Sequence, residues 1–363
     1  MTWEIAWLLL AGIALLTLGA ETLVRGASRL AALLGISPLV IGLTVVAFAT
    51  SAPEMAVSVR SALGGQADLA LGNVVGSNIL NVLLILGLSA VITPLVVAHQ
   101  LVRLDVPLMI GASLLLPLLA WNGRVDRWEG LLLVAAAGVY TALLVRLSRR
   151  EGAAAAAENQ QELETRPAQS GGAALAGHAG LALLGLGLLV AGARLFLDAA
   201  VALATAMGVS ELVVALTVVA AGTSLPEIAA SVVAAVRGER DIAVGNVVGS
   251  NLFNLLWVLG GAAAVGQGGV AVSSAALRFD IPVMVAVAIA CLPIFANGHR
   301  IARWEGFFFL TAYLAYTAFV VLAATEHDHL PAYSAAMRWF VLPLVGLTLG
   351  VVGWRAWRAR GGA

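Results

Sequence analysis

Apolar residues run along this chain in long blocks separated by short polar stretches. Eleven blocks stand out, at roughly 3–22, 36–60, 69–94, 104–121, 129–147, 176–196, 209–236, 242–265, 279–296, 304–324 and 338–356. Most are close to the ~20 residues that an α-helix needs to cross a hydrocarbon core about 30 Å thick. The pattern therefore predicts an all-α polytopic membrane protein. One polar interruption is longer than the rest, EGAAAAAENQQELETRPAQSGG from Glu151 to Gly172. It reads as a solvated linker, and its Ala run is compatible with a short extension of the helix before it.

The blocks repeat. Leu39–Val59 aligns without a gap on Leu212–Val232, LVIGLTVVAFATSAPEMAVSV against LVVALTVVAAGTSLPEIAASV, with 14 identities in 21. The same offset of 173 carries GNVVGSN at Gly72–Asn78 onto GNVVGSN at Gly245–Asn251. RLDVP (Arg103–Pro107) matches RFDIP (Arg278–Pro282), and NGRVDRWEG (Asn122–Gly130) matches NGHRIARWEG (Asn297–Gly306). Helices one to five thus recur as helices six to ten. Five is odd, so the second copy sits upside down relative to the first, the inverted-repeat plan of secondary transporters. The expected organisation is a first five-helix repeat at 1–150 with its motif region at 39–81, a linker at 151–172, and a second, inverted repeat at 173–325 with its motif region at 212–254. An external loop, an eleventh helix and a basic C-terminus follow at 326–363.

Composition agrees with the pattern: 61% of the 363 residues are hydrophobic and 11% charged, against about 25% charged in soluble domains. Net charge is zero. All twenty basic residues are Arg, and their distribution sets an orientation. With the N-terminus outside, fourteen fall on the cytoplasmic side and six outside, which predicts linker and C-terminus inside. Of the nine Trp, all but Trp257 fall near a predicted span end, as an interfacial aromatic belt requires. The acidic, Trp-bearing start MTWEIAWLLL reads as a retained first helix rather than a signal peptide. The one cysteine, Cys291, lies inside an apolar run. No GxxxxGK[ST] occurs, so ATP-driven pumping is not expected.

The candidate chemistry sits in mid-span. Helix two carries Thr50-Ser51-Ala52-Pro53-Glu54 and helix seven carries Thr223-Ser224-Leu225-Pro226-Glu227. A mid-helix proline frees a carbonyl about one turn earlier, and in lipid a free carbonyl is costly unless something binds it. Carbonyl, hydroxyl and carboxylate are hard oxygen ligands, suited to Na⁺ and Ca²⁺. A glutamate at mid-bilayer costs at least ~2.5 kcal/mol, and no Arg lies at comparable depth in helices two, three, seven or eight. Helices three and eight add Ser77 and Asn81, and Ser250 and Asn254, each pair four apart and so on one helix face. Gly72 and Gly76 form a small-xxx-small face for close packing. Asn73, Asn78, Asn246 and Asn251 stand between ion ligation and interhelical hydrogen bonding. Asp105 and Asp280, each two residues after an Arg, suggest helix capping or a local ion pair. EHDH (Glu326–His329) reads as a solvated loop; His99, His178 and His299 lie at span edges without an evident partner.

Together these motifs resemble the sodium/calcium exchanger family of the calcium/cation antiporter superfamily. The resemblance spans about 1–325 and rests on the two Thr-Ser-x-Pro-Glu segments with Gly72–Asn81 and Gly245–Asn254. It implies a ten-helix exchanger with Glu54 and Glu227 shared by Ca²⁺ and Na⁺. Thr50, Ser51, Ser77 and the Ala47 carbonyl would complete one Na⁺ site with Glu227. Thr223, Ser224, Ser250 and the Ala220 carbonyl would complete its mirror with Glu54. Asn81 and Asn254 would border the middle position, and helices one and six would slide across the core. Two departures matter. Family members often carry an aspartate at one middle position, whereas both here are Asn, so the carboxylate charge of −2 balances one Ca²⁺ or two Na⁺ and potassium dependence is disfavoured. The eleventh span, Arg338 to Trp354, lies beyond the family's ten and has no ionisable residue in its interior.

The sequence thus predicts a transporter, not an enzyme: a Na⁺/Ca²⁺ antiporter of a prokaryotic cytoplasmic membrane, with the bilayer and the two transported ions as its partners. No cofactor, nucleotide or nucleic acid is expected. A Ca²⁺/H⁺ antiporter on the same scaffold is the alternative. A passive channel and a non-transporting scaffold fit the inverted, liganded repeats less well.

Overall fold

The protein is described by a computed structural model covering residues 2–158 and 172–361. In the first half, α1 (Thr2–Leu34), α2 (Pro38–Thr50), α3 (Ala52–Leu63) and α4 (Ala67–Ile92) lead to the strand β1 (Leu95–Val96). α5 (Leu101–Asn122), β2 (Arg124–Val125) and α6 (Arg127–Glu158) follow. The second half opens with α7 (Gly172–Ala206), α8 (residues 211–222), α9 (Leu225–Val236) and α10 (Arg240–Val265). It continues through β3 (Val270–Ala271), α11 (Ser274–Ala296), β4 (Arg300–Ile301), α12 (Arg303–Ala324) and α13 (Leu330–Arg355).

Nine of these helices are long and apolar enough to cross a membrane, and α2 with α3, bent by 46°, makes a tenth. The remaining predicted span, 209–236, is also broken, into α8 and α9. Up to ten spans are thus found among the described residues, and the eleventh predicted span would require α8 and α9 to count as one. α1 and α7 run for 33 and 35 residues, well past the predicted 3–22 and 176–196. Bilayer thickness limits an apolar run, not a helix, and the i,i+4 pair Glu21–Arg25 supports the polar continuation of α1. α6 continues through the Ala run to Glu158. The rest of the expected linker, 159–171, lies outside the described residues.

α4 and α10 form the centre. Of the most apolar stretch of each, 72% and 94% is buried, against 6% in α12 and in α13. α1 and α7 lie together along their length. Gly12, Gly19 and Gly26 are spaced by seven on α1, and Gly185 and Gly192 likewise on α7. A Cβ on Gly19 would stand 2.7 Å from the Leu189 nitrogen, and one on Gly192 2.8 Å from the Leu16 nitrogen. Bare glycine is what lets these backbones approach. The halves are also laced across the connections between helices. β1 pairs antiparallel with β4 (Leu95↔Ile301), and β2 with β3 (Val125↔Val270). Each ladder joins one half to the other.

α2, α4, α8 and α10 each contain a π-helical turn, at Gly42–Val46, Asn81–Leu86, Ala215–Val219 and Asn254–Val258. They recur at the offset of the repeat. A π turn inserts a residue and re-aims the side chains beside it, here beginning at Asn81 and at Asn254.

The two GNVVGSN copies are not packed alike. A Cβ on Gly245 would stand 2.9 Å from the Leu39 carbonyl, and one on Gly249 2.6 Å from that of Leu43. The N-terminal half of α2 therefore lies directly on α10. Among the described residues, and apart from their own helix, no atom lies within 4 Å of where a Cβ on Gly72 or Gly76 would sit. The close-packing face expected at Gly72 and Gly76 is thus seen only in the second copy, because no backbone closes on the first.

Three further expectations are corrected or completed. Asp105 accepts from Tyr140 Oη (2.9 Å) and Gln100 Nε2 (3.1 Å), and Asp280 from Tyr316 Oη (3.2 Å). Neither caps a helix through its side chain, and neither pairs with an Arg among the described residues. The tyrosine signal was present in the sequence, since Tyr140 and Tyr316 recur on the two RWEG helices. His99 meets His299 across the β1–β4 ladder, with ring centroids 3.9 Å apart. The EHDH segment is an exposed turn, and the described residues contain no group of three or more His, Cys, Asp or Glu that could hold a metal.

Candidate functional site

Each half breaks its broken helix at a serine, Ser51 (φ −81°, ψ 5°) and Ser224 (φ −89°, ψ 8°). Pro53 and Pro226 follow two residues later and supply no N–H to the carbonyl four residues back. The glutamates come next, in the first turns of α3 and α9. There the free N–H groups and the positive end of the helix dipole favour a carboxylate. Glu54 and Glu227 are 0% and 1% exposed, and neither has an Arg partner among the described residues.

The serines cross between halves. Ser224 Oγ donates to Glu54 Oε1 at 2.9 Å, and Ser51 Oγ donates to Glu227 Oε1 at 3.2 Å. Ser224 Oγ also lies 3.2 Å from Ser77 Oγ. Ser77 thus lies beside Ser224. Each carboxylate keeps its other oxygen, Oε2, buried and without a hydrogen-bond partner.

The asparagines divide the work. Asn78 Nδ2 donates to the Asn251 carbonyl (3.3 Å) and Asn251 Nδ2 to the Asn78 carbonyl (3.4 Å). Asn81 Nδ2 donates to Asn251 Oδ1 (3.0 Å), and Asn254 Nδ2 to Asn78 Oδ1 (3.1 Å). This two-fold ring of four amides joins α4 to α10. It spends the nitrogens of Asn81 and Asn254 and leaves their Oδ1 atoms buried and unpartnered. Asn73 Nδ2 bonds Ser58 Oγ (2.9 Å) and the Glu54 carbonyl (3.2 Å), and its Oδ1 receives Thr223 (3.4 Å). Asn246 bonds Ser231 Oγ (2.9 Å) and receives Thr50 (3.1 Å). Interhelical hydrogen bonding is therefore what Asn73, Asn78, Asn246 and Asn251 do. Ser58 and Ser231 were missed, although they recur at the repeat offset.

The Ala47 carbonyl accepts from the Ser51 N–H (3.0 Å) and from Thr50 Oγ1 (3.4 Å). Ala220 holds the matching place in α8, one turn before Ser224. Among the described residues, six buried side-chain oxygens have no hydrogen-bond partner. Five of them are Glu54 Oε2, Glu227 Oε2, Asn81 Oδ1, Asn254 Oδ1 and Ser250 Oγ, and the sixth is Ser89 Oγ. An unsatisfied buried polar group costs about 1–3 kcal/mol. Five of the six fall on residues of the two motifs, a set of hard oxygen donors whose chemistry suits a desolvated cation.

Comparison with known proteins bears on the same residues. A family described as Sodium/calcium exchanger protein matches residues 4–146 and 177–322. The inner membrane protein YrbG of Escherichia coli K12 is 36% identical over 288 residues, covering 78% of this chain and 87% of that protein. The sodium/calcium exchanger MaX1 of Methanosarcina acetivorans is 32% identical over 340 residues, covering 85% and 96%. Among solved structures, the sodium-calcium exchanger NCX_Mj soaked with 10 mM Na⁺ and no Ca²⁺ superposes with a TM-score of 0.74 at 28% identity, over 88% of this chain and 99% of that one. The two halves with their crossed serine–glutamate bonds, and the family match over both of them, lead to one conclusion: this integral membrane protein belongs to the sodium/calcium exchanger family, a family of transporters.

Proposed function

We propose that the chain exchanges Ca²⁺ for Na⁺ by alternating access, holding the ions between Glu54 and Glu227. The observation that carries this reading is the set of five unpartnered buried oxygens on Glu54, Glu227, Asn81, Asn254 and Ser250. The ligands follow from it. Glu54 and Glu227 bind both ions; Thr50, Ser51, Ser77 and the Ala47 carbonyl complete one flank with Glu227, and Thr223, Ser224, Ser250 and the Ala220 carbonyl the other with Glu54. Asn81 and Asn254 present Oδ1 to the middle. The ion pair is named by the kinship with MaX1 and NCX_Mj, both sodium/calcium exchangers.

The arginine balance supports an N-terminus outside with 151–172 and the C-terminus inside, and the kinship with the inner membrane protein YrbG supports a prokaryotic inner membrane. The N-terminal parts of α2 and α10 then lie on the cytoplasmic side, where Gly245 and Gly249 receive α2. The uncrowded Gly72 and Gly76 lie on the external side. The packing is thus tighter on the inner side than on the outer, while Glu54 and Glu227 themselves are buried. In the opposite state the inverted halves exchange roles: α8 closes on Gly72 and Gly76 while α2 leaves α10.

The test is ion flux. Vesicles loaded with Na⁺ and diluted into Na⁺-free Ca²⁺ medium are expected to take up Ca²⁺, with uptake abolished when the Na⁺ gradient is collapsed. Uptake that ignores Na⁺ and follows a pH gradient would replace this reading with proton exchange on the same two carboxylates.

The middle position gives a graded test. Asn254→Asp adds a carboxylate where Oδ1 has no protein partner. It is expected to raise apparent Ca²⁺ affinity about tenfold or more, since an added opposite charge contributes more than ~1.4 kcal/mol at such a site. Unchanged Ca²⁺ and Na⁺ dependence of uptake would remove Asn254 from the ligand set.

A further inference from the structure

We propose that the crevice between α11, α12 and α13 is a binding site for one anionic phospholipid, its acyl chain inside and its phosphate on Arg338. The crevice has a volume of about 350 Å³, within the range of small-molecule sites. Val283 and Val287 of α11, Phe308 and Phe319 of α12, and Val341 and Val345 of α13 make its wall. Such a surface excludes water and suits a hydrocarbon chain. Polar groups are few: Tyr316 is engaged by Asp280, and Ser334 and the exposed Arg338 complete the lining.

Arg338 is exposed and forms no ion pair among the described residues. It lies in the π-helical turn Met337–Val341, whose extra residue widens the face that α13 turns to the crevice. Both Met337 and Arg338, and both Val341 and Leu342, therefore line it. The depth is set by two tryptophans, Trp339 and Trp354, 78% and 53% exposed. At 1.5 Å per residue they stand about 22 Å apart, most of the way across a hydrocarbon core of about 30 Å. Trp prefers the membrane–water interface, so Arg338 sits at headgroup level on the side of the 326–329 turn. A guanidinium there meets a lipid phosphate bidentately. Leu83, in the π turn that begins at Asn81, also lines the crevice. A bound chain therefore packs behind the turn that carries Asn81.

The experiment is native mass spectrometry of the full-length chain released from nanodiscs containing equal phosphatidylglycerol and phosphatidylcholine. One phosphatidylglycerol is expected to stay bound per chain, preferred at least about tenfold. Arg338→Gln is expected to erase the preference while leaving weak retention of either lipid. Ala312→Phe, which fills the crevice from α12, is expected to remove retention altogether. Equal retention of the two lipids by the unmodified chain, or a preference unchanged in Arg338→Gln, would overturn the proposal. So would a dimer that dissociates in Ala312→Phe, because the crevice would then be a contact between two copies. Both variants are checked by size-exclusion profile, and Arg338→Gln, at an exposed position, keeps the test valid if the core substitution fails to fold.

Discussion

Glu54→Gln and Glu227→Gln are each expected to abolish Na⁺-driven Ca²⁺ uptake, to below about one-thirtieth of the unmodified rate. Glutamine keeps the shape of the side chain and its acceptor oxygen, so the Ser224 and Ser51 bonds at 2.9 Å and 3.2 Å persist. What is lost is charge in a fully buried place. Removing one partner of a buried charge pair costs about 2–5 kcal/mol, a factor of roughly 30 to several thousand. Each variant leaves one carboxylate against Ca²⁺, too little to balance the ion. Neither protein is expected to unfold, since the burial of an uncompensated carboxylate is relieved rather than created. The vesicle assay decides it: uptake within threefold of the unmodified chain in either variant would place the ions elsewhere. Equal loss in both is the further expectation, because the halves contribute the carboxylates symmetrically.

The second large effect separates two identical heptapeptides. Gly249→Ala is expected to lower the melting temperature in detergent by several degrees, while Gly76→Ala leaves it unchanged or slightly raised. At Gly249 the added methyl would lie 2.6 Å from the Leu43 carbonyl, and overpacking of this kind costs about 1–3 kcal/mol. At Gly76 it meets nothing within 4 Å among the described residues outside its own helix, and alanine gains up to about 1 kcal/mol of helix propensity over glycine. A difference of about 2 kcal/mol corresponds to several degrees for a protein of this size. Exchange separates them in the opposite sense from a simple stability argument. Gly76→Ala, although stable, is expected to slow transport severalfold, because the inward-open state needs α8 to close on that face. Melting points that move together, or a Gly76→Ala protein that transports at full rate, would contradict the exchange of roles between the halves.

Much of this was legible in the chain. The gapless match of Leu39–Val59 to Leu212–Val232 and the odd number of spans between copies gave the inverted plan. A proline–glutamate pair in the middle of an apolar run has few uses other than ligation, so the two carboxylates stood out. Three features were not legible, each for a physical reason. The crossing of Ser51 to Glu227 and of Ser224 to Glu54 depends on how the halves face each other, which no local pattern encodes. The π turns at Asn81 and Asn254 are decided by tertiary packing, since their residues are ordinary helix formers. The unequal surroundings of Gly72 and Gly245 are not carried by the heptapeptides, which are identical; part of the difference lies in the facing helices, where Gly42 of α2 corresponds to Ala215 of α8. The lengths of α1 and α7 escaped for a simpler reason: the ends of apolar runs were taken for the ends of helices.

The ladders β1–β4 and β2–β3 carry one more consequence. Each is only two residues long, yet in both the partner strand belongs to the other half. The same is true of every serine–glutamate bond and of the amide ring. A single half would leave two strands with open edges, two carboxylate oxygens instead of four, and an incomplete ring. Neither half is therefore a folding unit by itself. The molecule has the anatomy of an antiparallel dimer sealed into one polypeptide, and its ancestry is most simply written as the fusion of two copies of one gene whose products entered the membrane in opposite directions.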